Sequence, residues 1–308
     1  MKIASLSFAL FLSLALTSRC FAALAAQLFF NNEENPVMTA GEATNLKIEV
    51  FNSDSPDPVH HFHPMHEKEM HLILISEDLE SFAHLHPQHL SDHIGIFGID
   101  LNQPTQDPYN LDAISAVKRP GPYFLFAESM PMGFSMTTLP LDFRASGVAT
   151  QKKPLKIDPV SSDGFIYKNF NDYQVKLKVN TYPHCGNFAA LLEMELKHLD
   201  PLSQTYLDVT DLQPWLSSFG HTIMLSEQGT IAKEKKFIHL HAVWPLVDDP
   251  ETERGPYLRV ASDSHAPMTE GIFKIWVQFK HHDQVQTIPF VVEIKAPLTP
   301  SHANIQCL

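Results

Sequence analysis

A histidine signature recurs at an interval of 150 positions, and a repeat of that length restricts the fold to two copies of one domain. One copy runs Met70-His71-Leu72-Ile73-Leu74-Ile75-Ser76-Glu77-Asp78-Leu79, then Phe82-Ala83-His84-Leu85-His86. The other runs Gly220-His221-Thr222-Ile223-Met224-Leu225-Ser226-Glu227-Gln228-Gly229, then Phe237-Ile238-His239-Leu240-His241. The same offset separates His71 from His221 (221 − 71 = 150) and Gly121 from Gly271 (271 − 121 = 150). Each half therefore carries a His…His-Leu-His constellation.

The period of the apolar residues is that of strands. Leu46-Lys47-Ile48-Glu49-Val50 and Val175-Lys176-Leu177-Lys178-Val179 alternate apolar with polar, as half-buried strands do. His71 to Ile75 and Tyr123 to Ala127 are nearly continuous apolar runs, which suit central strands covered on both faces. Each half closes on a hairpin pair: Tyr123–Phe126 with Leu139–Phe143, and Phe273–Val277 with Ile288–Val292. The stretch Phe188 to Leu199 reads as helix or strand, and Leu212-Gln213-Pro214-Trp215-Leu216 as a turn or helical corner. Short strands with frequent prolines predict an all-β chain of two tandem immunoglobulin-like or cupredoxin-like β-sandwich domains. The expected boundaries are a leader over 1–25, domains over 26–144 and 165–295, a linker over 145–164 and a tail over 296–308.

The N-terminus has the form of an export signal. Lys2 precedes an apolar run from Ile3 to Leu16, and small residues close it at Ala23-Leu24-Ala25. That run is too short to span a bilayer. Arg19 before Cys20 is a poor fit to a lipid-anchored N-terminus, so a protein released into the periplasm or beyond the cell is expected. Without residues 1–25 the net charge is 20 − 35 = −15. An acidic chain with no basic block argues against nucleic acid as a partner. Two cysteines remain, Cys185 and Cys307, which would pair in an oxidising compartment or stay as two thiols.

Strand geometry gives the histidine spacing its meaning. Residues two apart on a strand share a face, so His84 joins His86, and His239 joins His241. A symmetric hairpin pairs His71 with His86 (sum 157) and His221 with His241 (sum 462). Directly opposed residues lie about 4.5–5.5 Å apart, so three imidazoles would stand on one face within reach of one ion. Imidazole nitrogen is a ligand for copper and zinc. Copper ranks first because thioethers lie near in sequence: Met70 beside His71, and Met130 and Met132 in a Met-rich turn. His61, His63 and His66, in the run His60–His66, extend the candidate ligand set. The rival reading is that these rings bond backbone carbonyls and lock the hairpins.

The segment from Met70 to Pro87 resembles a set of exported bacterial domains with a Met-His-Leu-Ile…His-x-His-Pro signature. They are often associated with copper or heavy-metal handling. The second half, with Leu212-Gln213-Pro214-Trp215-Leu216 before Gly220-His221, is similar to another form of the same set. The resemblance implies a sandwich fold and carries His71, His84, His86, His221, His239 and His241 as signature positions. Ala242 stands where the first copy has Pro87, a departure expected to loosen the end of that strand.

No Gly-x-Ser-x-Gly, His-Glu-x-x-His or Gly-rich phosphate loop occurs, so a non-enzyme is expected. The leading expectation is an exported metal-binding protein that buffers or delivers copper, with zinc second, and with an envelope transporter or acceptor protein as partner. The alternative is a tandem module for protein–protein contact in which the histidines are structural.

Overall fold

The computed structural model describes residues 23–34, 37–54, 58–90, 94–148, 152–184, 187–249, 253–262 and 267–297. Residues 1–22, with Cys20 and most of the expected leader, lie outside them, as do Cys185, Cys307, His93, His265 and His302.

Among the described residues strand is the dominant element, with two short 3-10 turns and no α-helix. The first half is built on β1 (Leu24–Phe30), β2 (Thr44–Asn52), β3 (Met70–Ser76), β4 (Phe82–Leu85), β5 (Ile96–Leu101), β6 (Gly121–Pro131) and β7 (Thr137–Ser146). β1, β2 and β5 form one sheet, and β7, β6, β3 and β4 lie side by side in the other. Alternation along β2 sends Leu46, Ile48 and Val50 inward to meet Leu72 and Leu74 of β3 and Leu125 of β6 in one core. β1 begins at Leu24, so two residues assigned by sequence to the leader pair with Asn52 and Phe51 of β2. Similarly, β7 runs to Ser146, two residues past the expected end of the domain.

The second half repeats the plan with β8 (Tyr173–His184), β9 (Asn187–Asp200), β10 (His221–Ser226), β11 (Phe237–Trp244), β12 (Tyr257–Ala261), β13 (Gly271–His281) and β14 (Gln284–Ile294). The ambiguous stretch Phe188–Leu199 is strand β9, held by β8 on one side and β12 on the other. Here the two layers are continuous through β11, which pairs with β10 up to His241 and then, past a bulge at Ala242 and Trp244, with β12. The first half breaks at the same place: β4 stops at Leu85, and a separate strand, Gln88–His89, joins the other sheet. Proline explains the difference, because it has no N–H to give. Ala242 does have one, and donates it to the Gly220 carbonyl at 2.8 Å. Replacing Pro87 by Ala242 thus continues the strand instead of loosening it.

The connector is not a free linker. The Leu155 N–H donates to Glu227 Oε1 at 2.8 Å, and the Asp158 N–H to the Val291 carbonyl at 2.9 Å, which fastens it along the second domain.

Every residue of β3 is buried, and the pattern of its contacts shows why. Met70, Leu72 and Leu74 fill the core of their own domain. Ile73 and Ile75, on the opposite face, pack with Phe124, Phe126, Ile223, Leu225 and Trp276 in a third core between the domains. The halves meet through equivalent strands, and their contacts are reciprocal. Phe82 stacks on Trp276 with ring centroids 4.8 Å apart, and the equivalent pair, Phe237 and Phe126, stacks at 4.2 Å. Such exchange of matching contacts is the mark of an approximate two-fold axis, as in a symmetric dimer.

Candidate metal centre

The same alternation that sends Ile73 and Ile75 to the domain interface places His71 there too. Ile73 pairs with His84, and that register, continued, sets His71 opposite His86. In the second hairpin His221 pairs directly with His241, and Ile223 with His239. The longer second loop is absorbed beyond the strands, where Ala232–Glu234 forms a short 3-10 turn. Both triads therefore stand on the buried side of their sheets, facing one another.

The two triads match ring for ring. His71 and His84 have centroids 5.5 Å apart at 42°, His71 and His86 4.9 Å at 83°, and His84 and His86 4.7 Å at 44°. The corresponding pairs in the second domain are 6.0 Å at 42°, 4.6 Å at 84° and 4.7 Å at 44°. Across the interface His84 lies 5.0 Å from His239, with His71–His239 and His84–His221 at 5.5 and 6.1 Å. Six imidazoles thus form one cluster where the sequence suggested two separate sites.

Hydrogen bonds to the outer nitrogens fix the first triad's tautomers. His71 Nε2–H donates to the Met65 carbonyl at 2.9 Å, and His86 Nδ1–H to the Tyr109 carbonyl at 2.8 Å. A carbonyl only accepts, so each of these nitrogens carries the proton. His84 Nδ1–H donates to Gln278 Oε1 at 2.9 Å, while Gln278 Nε2 donates to Thr287 Oγ1. Burial holds His71 below its ordinary pKa, and His84 and His86 well below it, so all three are neutral. Their remaining nitrogens, His71 Nδ1, His84 Nε2 and His86 Nε2, then carry the lone pairs, and the three residues bring ligand atoms within 4.8 Å of one another. His71 Nδ1 and His84 Nε2 are 3.2 Å apart. Two lone pairs at that distance repel unless a cation lies between them, and two tetrahedral ligands of one ion are separated by about 3.3 Å. The outer carbonyls correspond to the second-shell partners that orient metal-binding histidines.

The second triad is less supported. His239 Nδ1 lies 2.6 Å from Glu128 Oε2, the counterpart of the His84–Gln278 contact (278 − 128 = 150). Burial pushes the Glu128 carboxyl up to about 7, and Thr138 Oγ1 donates to its other oxygen at 3.0 Å. Both nitrogens of His221, together with Nε2 of His239 and of His241, are buried without a hydrogen-bond partner. Buried polar atoms in native proteins are nearly always satisfied, so a concentration of bare imidazole nitrogens points to a ligand. Burial lowers the pKa of all three rings.

Other expected residues fall differently. His66 joins the cluster at its solvent edge, its ring stacked on His241 at 3.5 Å. His61 and His63 are exposed and outside it. Met70 points from β3 into the first domain's core, opposite to His71, so it is not a neighbouring donor. Met132 is 57% exposed at the β6–β7 turn, and Met130, half-buried, follows Glu128 by two residues on β6. Sequence reasoning missed Glu128, Gln278 and Trp215. Trp215 packs edge-on against His221 at 4.8 Å and His84 at 5.4 Å, from a tight turn with Leu216 and Ser217 at positive φ. The offset of 150 that identified the histidines would have found Glu128 and Gln278, polar residues at matched points of apolar strands. A second, surface group, Asp211, His281 and His282, also brings ligand atoms within 4.8 Å. There His281 is already satisfied by Tyr173 Oη at 2.8 Å and Asp211 at 2.9 Å.

A family model described as a domain of unknown function, DUF8832, matches residues 30–147 and 167–296. No curated protein matches the chain. Among solved structures, the Staphylococcus aureus TarS crystal structure aligns over 89% of this chain and 39% of its own, at 9% identity and a TM-score of 0.22. A TarS fragment, residues 217–571, aligns over 87% and 62%, with the same identity and TM-score. The chain thus spans well under two thirds of the first of these, and superpositions of that quality carry no argument about fold or function.

Proposed function

The chain belongs to the DUF8832 family, whose description assigns no activity, and we propose from the site alone that this protein binds a metal ion through His71, His84 and His86. The observation that carries the reading is the convergence of three neutral imidazoles whose outer nitrogens are engaged elsewhere and whose inner nitrogens turn toward one another, His71 Nδ1 and His84 Nε2 at 3.2 Å and His86 Nε2 without a partner. Such a site is preorganised: the rings need not move when the ion arrives.

Copper is the proposed ion, on grounds that differ from those in the sequence. With Met70 turned away and Met132 exposed, the support that those two thioethers lent to copper(I) falls, and the donors of the triad itself are imidazole nitrogens. Imidazole suits copper and zinc alike, and for a given nitrogen site copper(II) binds more tightly. The burial of His71, His84 and His86, each 1% exposed, favours retention over rapid exchange, hence buffering over delivery. Location in the periplasm or outside the cell belongs to the same proposal and is supported by the leader-like N-terminus.

The carbonyl bonds of His71 and His86 also favour a second reading, in which the histidines only lock the domain interface. One experiment separates the two. Metal-free protein is titrated with copper(II) and zinc(II), desalted, and analysed for metal beside a His84→Ala/His86→Ala variant. The metal-binding reading expects tight copper in the wild type and its loss from the variant, and equal metal content in both would overturn it.

A further inference from the structure

The second triad is a copy of the first in ring spacing and tilt, and it faces the first across the domain interface. We infer that the cluster is a two-ion centre, in which His71, His84 and His86 hold one cation and His221, His239 and His241 hold another beside it. This inference rests on the metal-binding reading of the first triad and extends it.

Three observations carry it. The interplanar angles agree to within a degree for all three pairs, so the second set of rings repeats the orientation of the first, although its ligand atoms do not share the first set's mutual approach within 4.8 Å and would draw together on the ion. All three rings of the second triad carry a buried, bare nitrogen and so offer one lone pair each, more than the one further ligand that a tetrahedral ion held by the first triad would take. Six imidazoles also exceed the four ligands of a tetrahedral ion. The outer partners cross the interface: Gln278 of the second domain holds His84 of the first, and Glu128 of the first holds His239 of the second. Each half-site is therefore completed by the other domain.

The exchange of carboxylate for amide makes the two positions unequal. A carboxylate behind His239 raises the basicity of its far nitrogen and supplies negative charge, whereas the amide behind His84 supplies only a dipole. In the other direction, carbonyls fix two further rings of the first triad, and none fixes His221. The first position is thus the better ordered, and the second depends on Glu128.

Copper(II) is the probe for the test, with the whole chain as the sample. Stripped protein is loaded, desalted, and measured by elemental analysis and electron paramagnetic resonance. The expected result is two equivalents whose spins are magnetically coupled, giving a signal well below that of two isolated ions. His221→Ala/His241→Ala is expected to retain one equivalent with the full signal of an isolated ion. Uncoupled spins at two equivalents, or a wild type that holds one equivalent and loses it in either double variant, would overturn the two-ion centre while leaving a single site intact. Absence of bound copper would overturn both readings. The wild-type spectrum decides the matter even if a variant fails to fold.

Discussion

At the scale of single residues, the site turns on which imidazole nitrogen carries the proton. Met65 and Tyr109 settle this for His71 and His86 by offering carbonyl oxygens, which accept and cannot donate. Glu128 is the corresponding partner of His239, and a metal at the far nitrogen would favour its ionised form, which accepts. Glu128→Gln is expected to weaken copper binding at the second triad by about 10- to 100-fold, as measured by competition with a chelator. The buried rings also give the metal-free protein a pH dependence. His71, His84, His86, His221, His239 and His241 all have folded pKa values below 6.5, so the unfolded chain takes up more protons as pH falls through that value. Their contribution to stability is complete above 6.5 and is lost progressively below it. Glu128 runs the other way: raised from 4.5 to about 7, it favours the fold at low pH and loses that contribution as pH rises through 7. With six groups against one, melting temperature is expected to drop steeply between about pH 6.5 and 4.5, and a flat profile would contradict burial of neutral histidines.

At the scale of strands, much was legible beforehand, and particular residues show how. The sums 157 and 462 set the hairpin registers, and the observed pairs Ile73–His84 and His221–His241 obey them. Alternation placed His84 and His86 on one face, because a strand has no other period. Continuous apolarity in His71–Ile75 and Tyr123–Ala127 indicated strands covered on both faces. What it could not show was the cover, since a second sheet and a second domain demand the same residues. The Met70 side chain illustrates the limit: adjacency in sequence to His71 puts it on the opposite face of β3. The stacked pairs Phe82–Trp276 and Phe126–Phe237 hold the interface from both sides of the approximate axis. Phe126→Ala, at a position 1% exposed, is expected to cost about 3–5 kcal/mol in chemical denaturation and to weaken copper binding with it. A loss of stability with copper affinity unchanged would mean that the triads function without being docked.

At the scale of the whole molecule, the repeat has become an internal dimer. Each domain has its own core, and a third core joins them, so the face that would be solvent-exposed in a lone sandwich is closed by the other copy. Binding of a cation would bridge groups from both domains, through Gln278 on His84 and Glu128 on His239. None of this was available from the chain alone, because spacing reports geometry within a hairpin and is silent on how two hairpins meet. X-ray absorption at the copper edge of the loaded protein addresses the claim on which the rest depends. The expected spectrum shows a first shell of nitrogen at about 2.0 Å with the outer scattering of at least three imidazoles per copper. A first shell of sulfur, or of oxygen with no imidazole scattering, would contradict it.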